Sequence, residues 1–275
     1  MEKLWKYCLS LILLIGFSCG DSPELTPEER RAMAEEVFKE ALQYGQGTPK
    51  CMQLIEKATL IDTTYAEAIR ELSVAYLKRG LPHKWQPLFD RAVKHDPKTW
   101  LMSRGVIYLK SYRDYKKAIE DLDAADALTP DFVDYVAGHS IDFWRGMAYL
   151  GLKDYENSIR YYDKHIQKET EETGEDWVEL EAFLYRGIAY YEMGNREEAK
   201  LNFNKILQYS TKSADAKYYL SKILSENGQI DSAKTYIKAA KEDFELGFYN
   251  RRNYVEALRQ IYWEDLDELE KNLDE

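Results

Sequence analysis

Helix breakers are scarce in this sequence: seven prolines and fourteen glycines in 275 residues. So few over so long a chain exclude a turn-rich β architecture and favour helices. Cysteine is scarcer still, with Cys8, Cys19 and Cys51 only, which gives no disulfide framework. The four histidines, His83, His95, His139 and His165, stand apart with no metal-ligand spacing. HExxH, a phosphate-binding glycine loop and GxSxG are all missing. The expectation is a chain that is not an enzyme and takes no metal or cofactor. Positive charge is in deficit: 38 Lys and Arg against 49 Asp and Glu, a net charge of -11, with no basic stripe. Binding to a phosphate backbone needs clustered cations, so nucleic acid is not an expected partner. What the chain has instead is 22 tyrosines, 45% hydrophobic and 32% charged residues, the composition of a folded body.

One apolar run stands out, residues 7–17, preceded by Lys3 and Lys6. Its eleven residues fall short of the roughly 20 a membrane span needs. The pattern is that of a signal peptide over residues 1–18. Gly16 and Ser18 suit ordinary cleavage. The segment also resembles a bacterial lipoprotein signal, with Ser18-Cys19 at its end and Gly20-Asp21-Ser22 beyond. It departs from that pattern at Gly16 and Phe17. The resemblance implies that Cys19 becomes the lipidated first residue, that residues 19–31 form a tether in which Pro23 and Pro27 block helix, and that the protein is exported and lipid-anchored to a bacterial membrane, the outer one expected, or periplasmic.

A recurring pattern dominates the rest. Three copies begin Arg104-Gly105, Arg145-Gly146 and Arg186-Gly187, each ending in a tyrosine at Tyr108, Tyr149 and Tyr190. A turn and a second helical pattern follow each: Tyr115, Ala118, Leu122, Ala125 and Pro130; Tyr155, Ser158 and Tyr162; Gly194, Ala199 and Phe203. Weaker copies run from Ser73 to Pro97 in composition and from Ser221 through Gly228 to Ala240, and the most worn one holds Lys39, Leu42, Cys51, Ile55 and Ala58. This resembles the tetratricopeptide-repeat family, whose unit of about 34 residues is a pair of antiparallel helices. The resemblance covers residues 32–247 and implies an all-α fold. It would be a right-handed superhelical solenoid of about six such units, closed by a C-terminal capping helix. Each unit alone buries too little apolar surface, so the core forms by stacking. Cys51, in a position that other units fill with Ala or Ser, is expected to be a small core residue.

Repeat spacing is uneven. Gly105 to Gly146 and Gly146 to Gly187 are each 41 residues, against 34 from Gly187 to Ser221. An excess of seven is about two helical turns, which predicts lengthened helices near residues 131–141 and 168–178. The second stretch is acidic, through Glu169, Glu171, Glu172, Glu175, Asp176 and Glu179. It reads as a solvated extension or as a docking knob for a basic partner. Beyond Tyr254, apolar residues at Leu258, Ile261, Leu266, Leu269 and Leu273 predict an amphipathic helix over 252–272, the cap within residues 248–275.

In the family resembled, the first helix of each unit lines the concave face. By matching position that face would carry Met102, Val106 and Leu109, then Phe143, Met147 and Leu150, then Leu184, Ile188 and Tyr191. Two readings of this apolar ladder stand. Either the chain's own flanks or its C-terminal helix cover it, or it is a groove for an amphipathic helix or extended peptide. The cations on this face are mainly Arg70 and Lys222, too few for a carboxylate clamp. The functional expectation is a scaffold or adaptor anchored to the bacterial envelope, holding an unidentified protein or peptide. The alternatives are a small-molecule or glycan-binding module using aromatic platforms, and a regulatory subunit of an envelope enzyme complex.

Overall fold

The computed structural model describes residues 25–275. They are all-helical apart from one two-stranded ribbon, and they divide into two compact units that part after Tyr65. Cys19 and the signal segment lie outside the described residues.

The first unit is one helix pair, α1 (Pro27–Ala41) and α2 (Pro49–Ile61). Each starts the same way: a threonine N-cap, Thr26 or Thr48, followed by proline in the first turn. Proline lacks only an amide that the first turn would leave unpaired anyway. Pro27 therefore opens a helix where the sequence led us to expect a tether to residue 31. Glu29 completes a capping box with Thr26. Phe38, Cys51, Ile55 and Ala58 form the interior, with Phe38 edge-on to Tyr65 at 5.4 Å.

The second unit stacks five more pairs: α3 (Ala66–Lys78) with α4 (Pro82–His95), α5 (Pro97–Ile107) with α6 (Tyr115–Leu128), α7 (Ile141–Gly151) with α8 (Tyr155–Thr173), α9 (Leu180–Met193) with α10 (Arg196–Tyr209), and α11 (Ala214–Glu226) with α12 (Ile230–Glu245). Polar N-caps at Asp114, Ser140, Asp154, Asn195 and Ser213 start the helices from α6 to α11, except α9. The recurring glycines sit where paired helices touch. A Cβ on Gly146 would fall 2.9 Å from the Tyr162 ring, and one on Gly187 2.8 Å from the Phe203 ring. The recurring arginines join units. Arg104 grips Asp121 on its partner helix at 2.6 and 2.8 Å and Asp90 of the preceding pair at 2.7 Å. Arg186 repeats this with Asn202 at 2.8 Å and Asp163 at 2.7 Å. Arg145 turns to the preceding pair, to Asp123 and Asp126, and also lies 3.5 Å from Asp142 on its own helix.

The two long spacings resolve differently. The second does lengthen a helix: α8 has 19 residues against 14 in α6 and α10. The first does not. Thr129 and Pro130 end α6, and the chain makes a hairpin, β1 (Tyr135–Val136) with β2 (His139–Ser140). Its turn residues Ala137 and Gly138 both have positive φ, 52° and 88°, as the tight primed turns require. Hairpin and extension meet: the Tyr135 hydroxyl donates to Glu169, and Trp144 Nε1 donates to the Val136 carbonyl at 3.0 Å.

The C-terminus also differs from expectation. Only α13 (Trp263–Asp274) is helical; residues 247–262 are not. Leu266 and Leu273 of α13 pack with Leu224, Ala233, Ile237 and Ala240, and Lys241 reaches Asp267 and Glu270.

Candidate functional site

All nine ladder residues lie in one apolar cluster of the second unit, and all are buried. The most exposed, Tyr191, is 9% accessible. None is open to a partner in this structure. The amphipathic pattern that singles out a face cannot say what covers it. Here α7 is buried along its whole length except Tyr149 and Gly151, Asp142 and Arg145 included.

The segment following α12 accounts for part of that cover. Residues 247–262 form a strap whose contacts fall on the first helices of successive pairs. At its start the Phe248 carbonyl accepts the Ala214 amide of α11 at 2.8 Å. The Asn250 amide donates to Asp215 of α11 at 2.7 Å, and the Asn250 side chain donates to the Tyr185 hydroxyl of α9 at 2.8 Å. Arg252 pairs with both oxygens of Glu181 on α9, at 2.9 and 3.1 Å, and lies over the Trp144 ring of α7. Farther along, Arg113 donates to the Glu256 carbonyl at 2.6 Å. Arg113 is placed for this by a π turn (Tyr108–Tyr112) that ends α5 and by its own left-handed backbone, φ 54°. Leu258 then enters the ladder's apolar cluster, and Arg259 pairs with both oxygens of Glu192 on α9 at 2.5 and 2.9 Å.

The strap does not fill the face. Between it and the helices lies an open cleft of about 420 Å³, with Glu181, Leu184 and Asp215 on one side and Phe248, Asn250 and Arg252 on the other. A second, of about 400 Å³, lies between Leu77, Tyr112 and the strap's Tyr254 and Val255. Electrostatics record the enclosure. Burial pushes the Asp215 carboxyl up to about 6, against the partial relief of the Asn250 amide and its own backbone amide. Burial lowers the Lys110 ammonium, helped by the neighbouring Arg252 charge.

A second polar cluster lies where the hairpin meets the α8 extension. Ser140 Oγ is 2.8 Å from His165 Nδ1, His165 Nε2 is 3.1 Å from Glu179 Oε1, and His139 Nδ1 is 2.8 Å from the same oxygen. The His165–Glu179 contact is close but off the hydrogen-bond direction. Burial opposes ionisation of Glu179, but the two histidines outweigh it and hold the carboxyl down to about 2. An ionised carboxylate only accepts, so His139 Nδ1 carries the proton. A hydroxyl, an imidazole and a carboxylate in a row is the arrangement of a nucleophile with its base. Ser140 Oγ, however, caps α7 by accepting the Phe143 amide, and the residue is 1% exposed. The cluster is placed to pin the hairpin, not to meet a substrate. Spacing in the sequence gave no sign of it.

Among the described residues no group of three or more His, Cys, Asp or Glu is arranged to hold a metal ion. No helix there is long and apolar enough to cross a membrane. Among the aromatic residues that could serve as stacking platforms, Trp144 and Tyr108 are buried and Trp177 is exposed.

Two family models described as tetratricopeptide repeat match the chain, over residues 143–167 and 189–245. None of the curated proteins matches. Among solved structures the chain is similar to PilW, titled a widely conserved type IV pilus biogenesis factor, at 16% identity and TM-score 0.60, covering 78% of this chain and 94% of that one. It is similar to PilF of Pseudomonas aeruginosa at 17% identity and TM-score 0.58, covering 80% and 94%. It is also similar to YrrB, titled a TPR protein with an unusual peptide-binding site, at 16% identity and TM-score 0.51, covering 69% and 91%. At such identities the likeness is one of fold. The stack of helix pairs is thus an all-α tetratricopeptide-type fold, with the repeats themselves recognised over residues 143–167 and 189–245.

Proposed function

We propose that this chain is a non-catalytic adaptor that holds another protein on the face built by its first helices, and that a lipid on Cys19 anchors it to the bacterial envelope. The observation that carries the first half is the strap: this face already holds a non-helical peptide segment, through side-chain bonds from α9, α11 and Arg113. Stacked repeats present extended concave surfaces that serve for binding. The repeat fold shared with PilW, titled a type IV pilus biogenesis factor, supports an envelope role. The ladder residues Met102, Val106, Leu109, Phe143, Met147, Leu150, Leu184, Ile188 and Tyr191 serve as the floor of this site, and Glu181, Asp215 and Glu192 as its polar contacts.

Cross-linking followed by capture of the tagged, membrane-extracted chain from its native cells should yield one stoichiometric partner. Finding none under cross-linking sinks the adaptor reading. The anchor has its own test. Cys19→Ala should move the protein from the membrane fraction to the soluble one, and a variant that stays with membranes through a salt wash overturns lipidation.

A further inference from the structure

We propose that residues 247–262 are a built-in occupant of the adaptor face, displaced by a partner's extended segment that carries two arginines seven residues apart with an aliphatic residue just before the second. This rests on the adaptor reading and names what it recognises and how it is kept closed.

Four observations carry it. First, the strap is bound the way a ligand is bound. Its grip is a series of separate anchors, at Asn250, Arg252, the Glu256 carbonyl, Leu258 and Arg259, with no helix or sheet joining them. The Arg259–Glu192 pair is bidentate through Nε and Nη2, the geometry that gives most specificity to a guanidinium–carboxylate contact, and Arg252 spans both Glu181 oxygens with its single Nη2. Second, the charges are complementary. The face offers Glu181, Glu192 and Asp215, and the strap answers with Arg252, Arg259 and the Asn250 amide. In a chain of net charge -11, residues 251–259 hold three arginines and one acid. Third, the strap is loosely packed ahead of its buried residues Ala257, Leu258 and Ile261. Open clefts of about 420 and 400 Å³ remain beside it, and its tip residue Tyr254 is 93% exposed. Fourth, its path is strained. Tyr254 and Arg259 adopt φ of 68° and 56°, a region that non-glycine side chains rarely take without compensating contacts. Release would relax both residues. The strap is held at each end by helices, α12 before it and α13 after it, so it can leave the face without leaving the molecule.

Occupancy of this kind has a direct consequence. A partner binds only the fraction of molecules whose strap is off, so its apparent affinity falls by that fraction. Weakening the strap should therefore strengthen partner binding, the reverse of what removing a binding residue does.

The test uses the full chain and a labelled peptide of residues 247–262 as probe, followed by fluorescence anisotropy. An Arg252→Ala/Arg259→Ala chain, whose changes lie in the strap and not on the face, should bind the peptide at least tenfold more tightly than the unaltered chain. Adding Glu181→Gln and Glu192→Gln to that chain should remove the gain, and a peptide lacking both arginines should not bind. A strap variant that keeps its helical circular dichroism yet binds no better than the unaltered chain overturns the proposal. Should that variant fail to fold, hydrogen exchange of the unaltered chain decides. Amides of 250–262 exchanging well before those of α9 support it, and both exchanging together overturn it. If the peptide binds as expected but no protein is captured in cells, the adaptor reading fails and the displaceable strap stands. If a captured protein is held equally by both chains and the peptide result is negative, the strap proposal fails and the adaptor reading stands.

Discussion

Single positions recur in this chain because each repeat sets the same local problem. Two helices must approach until the backbone of one meets a ring of the other, and Gly146 against Tyr162 and Gly187 against Phe203 solve it. Gly187→Ala would place a methyl 2.8 Å from the fully buried Phe203. It should lower stability by about 1–3 kcal/mol, the usual range for overpacking, read as a lower midpoint in urea with the slope unchanged. An unaltered midpoint would show that Phe203 can swing aside. The arginine beside each glycine was visible as a repeat feature, and Arg104 and Arg186 bond between helices. The carboxylates they use were less visible. Asp121 and Asp123 are two residues apart and so serve different arginines, Arg104 and Arg145, in different pairs.

Elements between the repeats obey tertiary contacts more than local pattern. The run from Tyr254 to Leu258 has helical spacing, yet it is pulled into a strap by Arg113, Glu181 and Glu192, whose partners lie 67 to 143 positions away. Gly247, Asn250 and Asn253 were the local signs against a helix. Asp215 gives this element a pH dependence. Its folded pKa of about 6 lies above the ordinary 3.8. The folded state therefore binds the proton more tightly, and this contribution to stability is full below 3.8 and lost as pH rises through 6. At pH 7.5 the buried charge costs about 3 kcal/mol, from the shift at 1.36 kcal/mol per unit. Asp215→Asn keeps an acceptor for the Asn250 amide and removes the charge. Its melting temperature should exceed that of the unaltered chain at pH 7.5 and converge with it near pH 4. A variant less stable at pH 7.5 would show the ionised carboxylate to be a net stabiliser.

At the scale of the whole second unit, stability passes from pair to neighbouring pair, as in other stacked repeats. The exposed apolar side of the last pair is closed by α13 through Leu266 and Leu273. Leu266→Asp would put a charge at a position with no solvent access, which a buried site tolerates poorly. Hydrogen exchange should then show α11 and α12 losing protection first, with α7 and α8 holding longest. Uniform loss from α3 to α12 would mean that the unit folds as one block instead.

Sequence alone determined the helix pairs and the recurring arginine–glycine positions on them. These depend on residues a turn or a pair apart, and the same solution is written several times over. It also marked the nine-residue ladder as one apolar set, and they do share one cluster. Whether that set faces solvent was decided only in three dimensions. Part of the cover comes from a segment whose anchoring contacts are distant in sequence and whose charges, taken singly, look like an ordinary solvated surface. The hairpin at 135–140 was decided in the same way, by Trp144 and Glu169 receiving it. Periodicity reports which residues must be buried, while the identity of what buries them is a property of the folded chain.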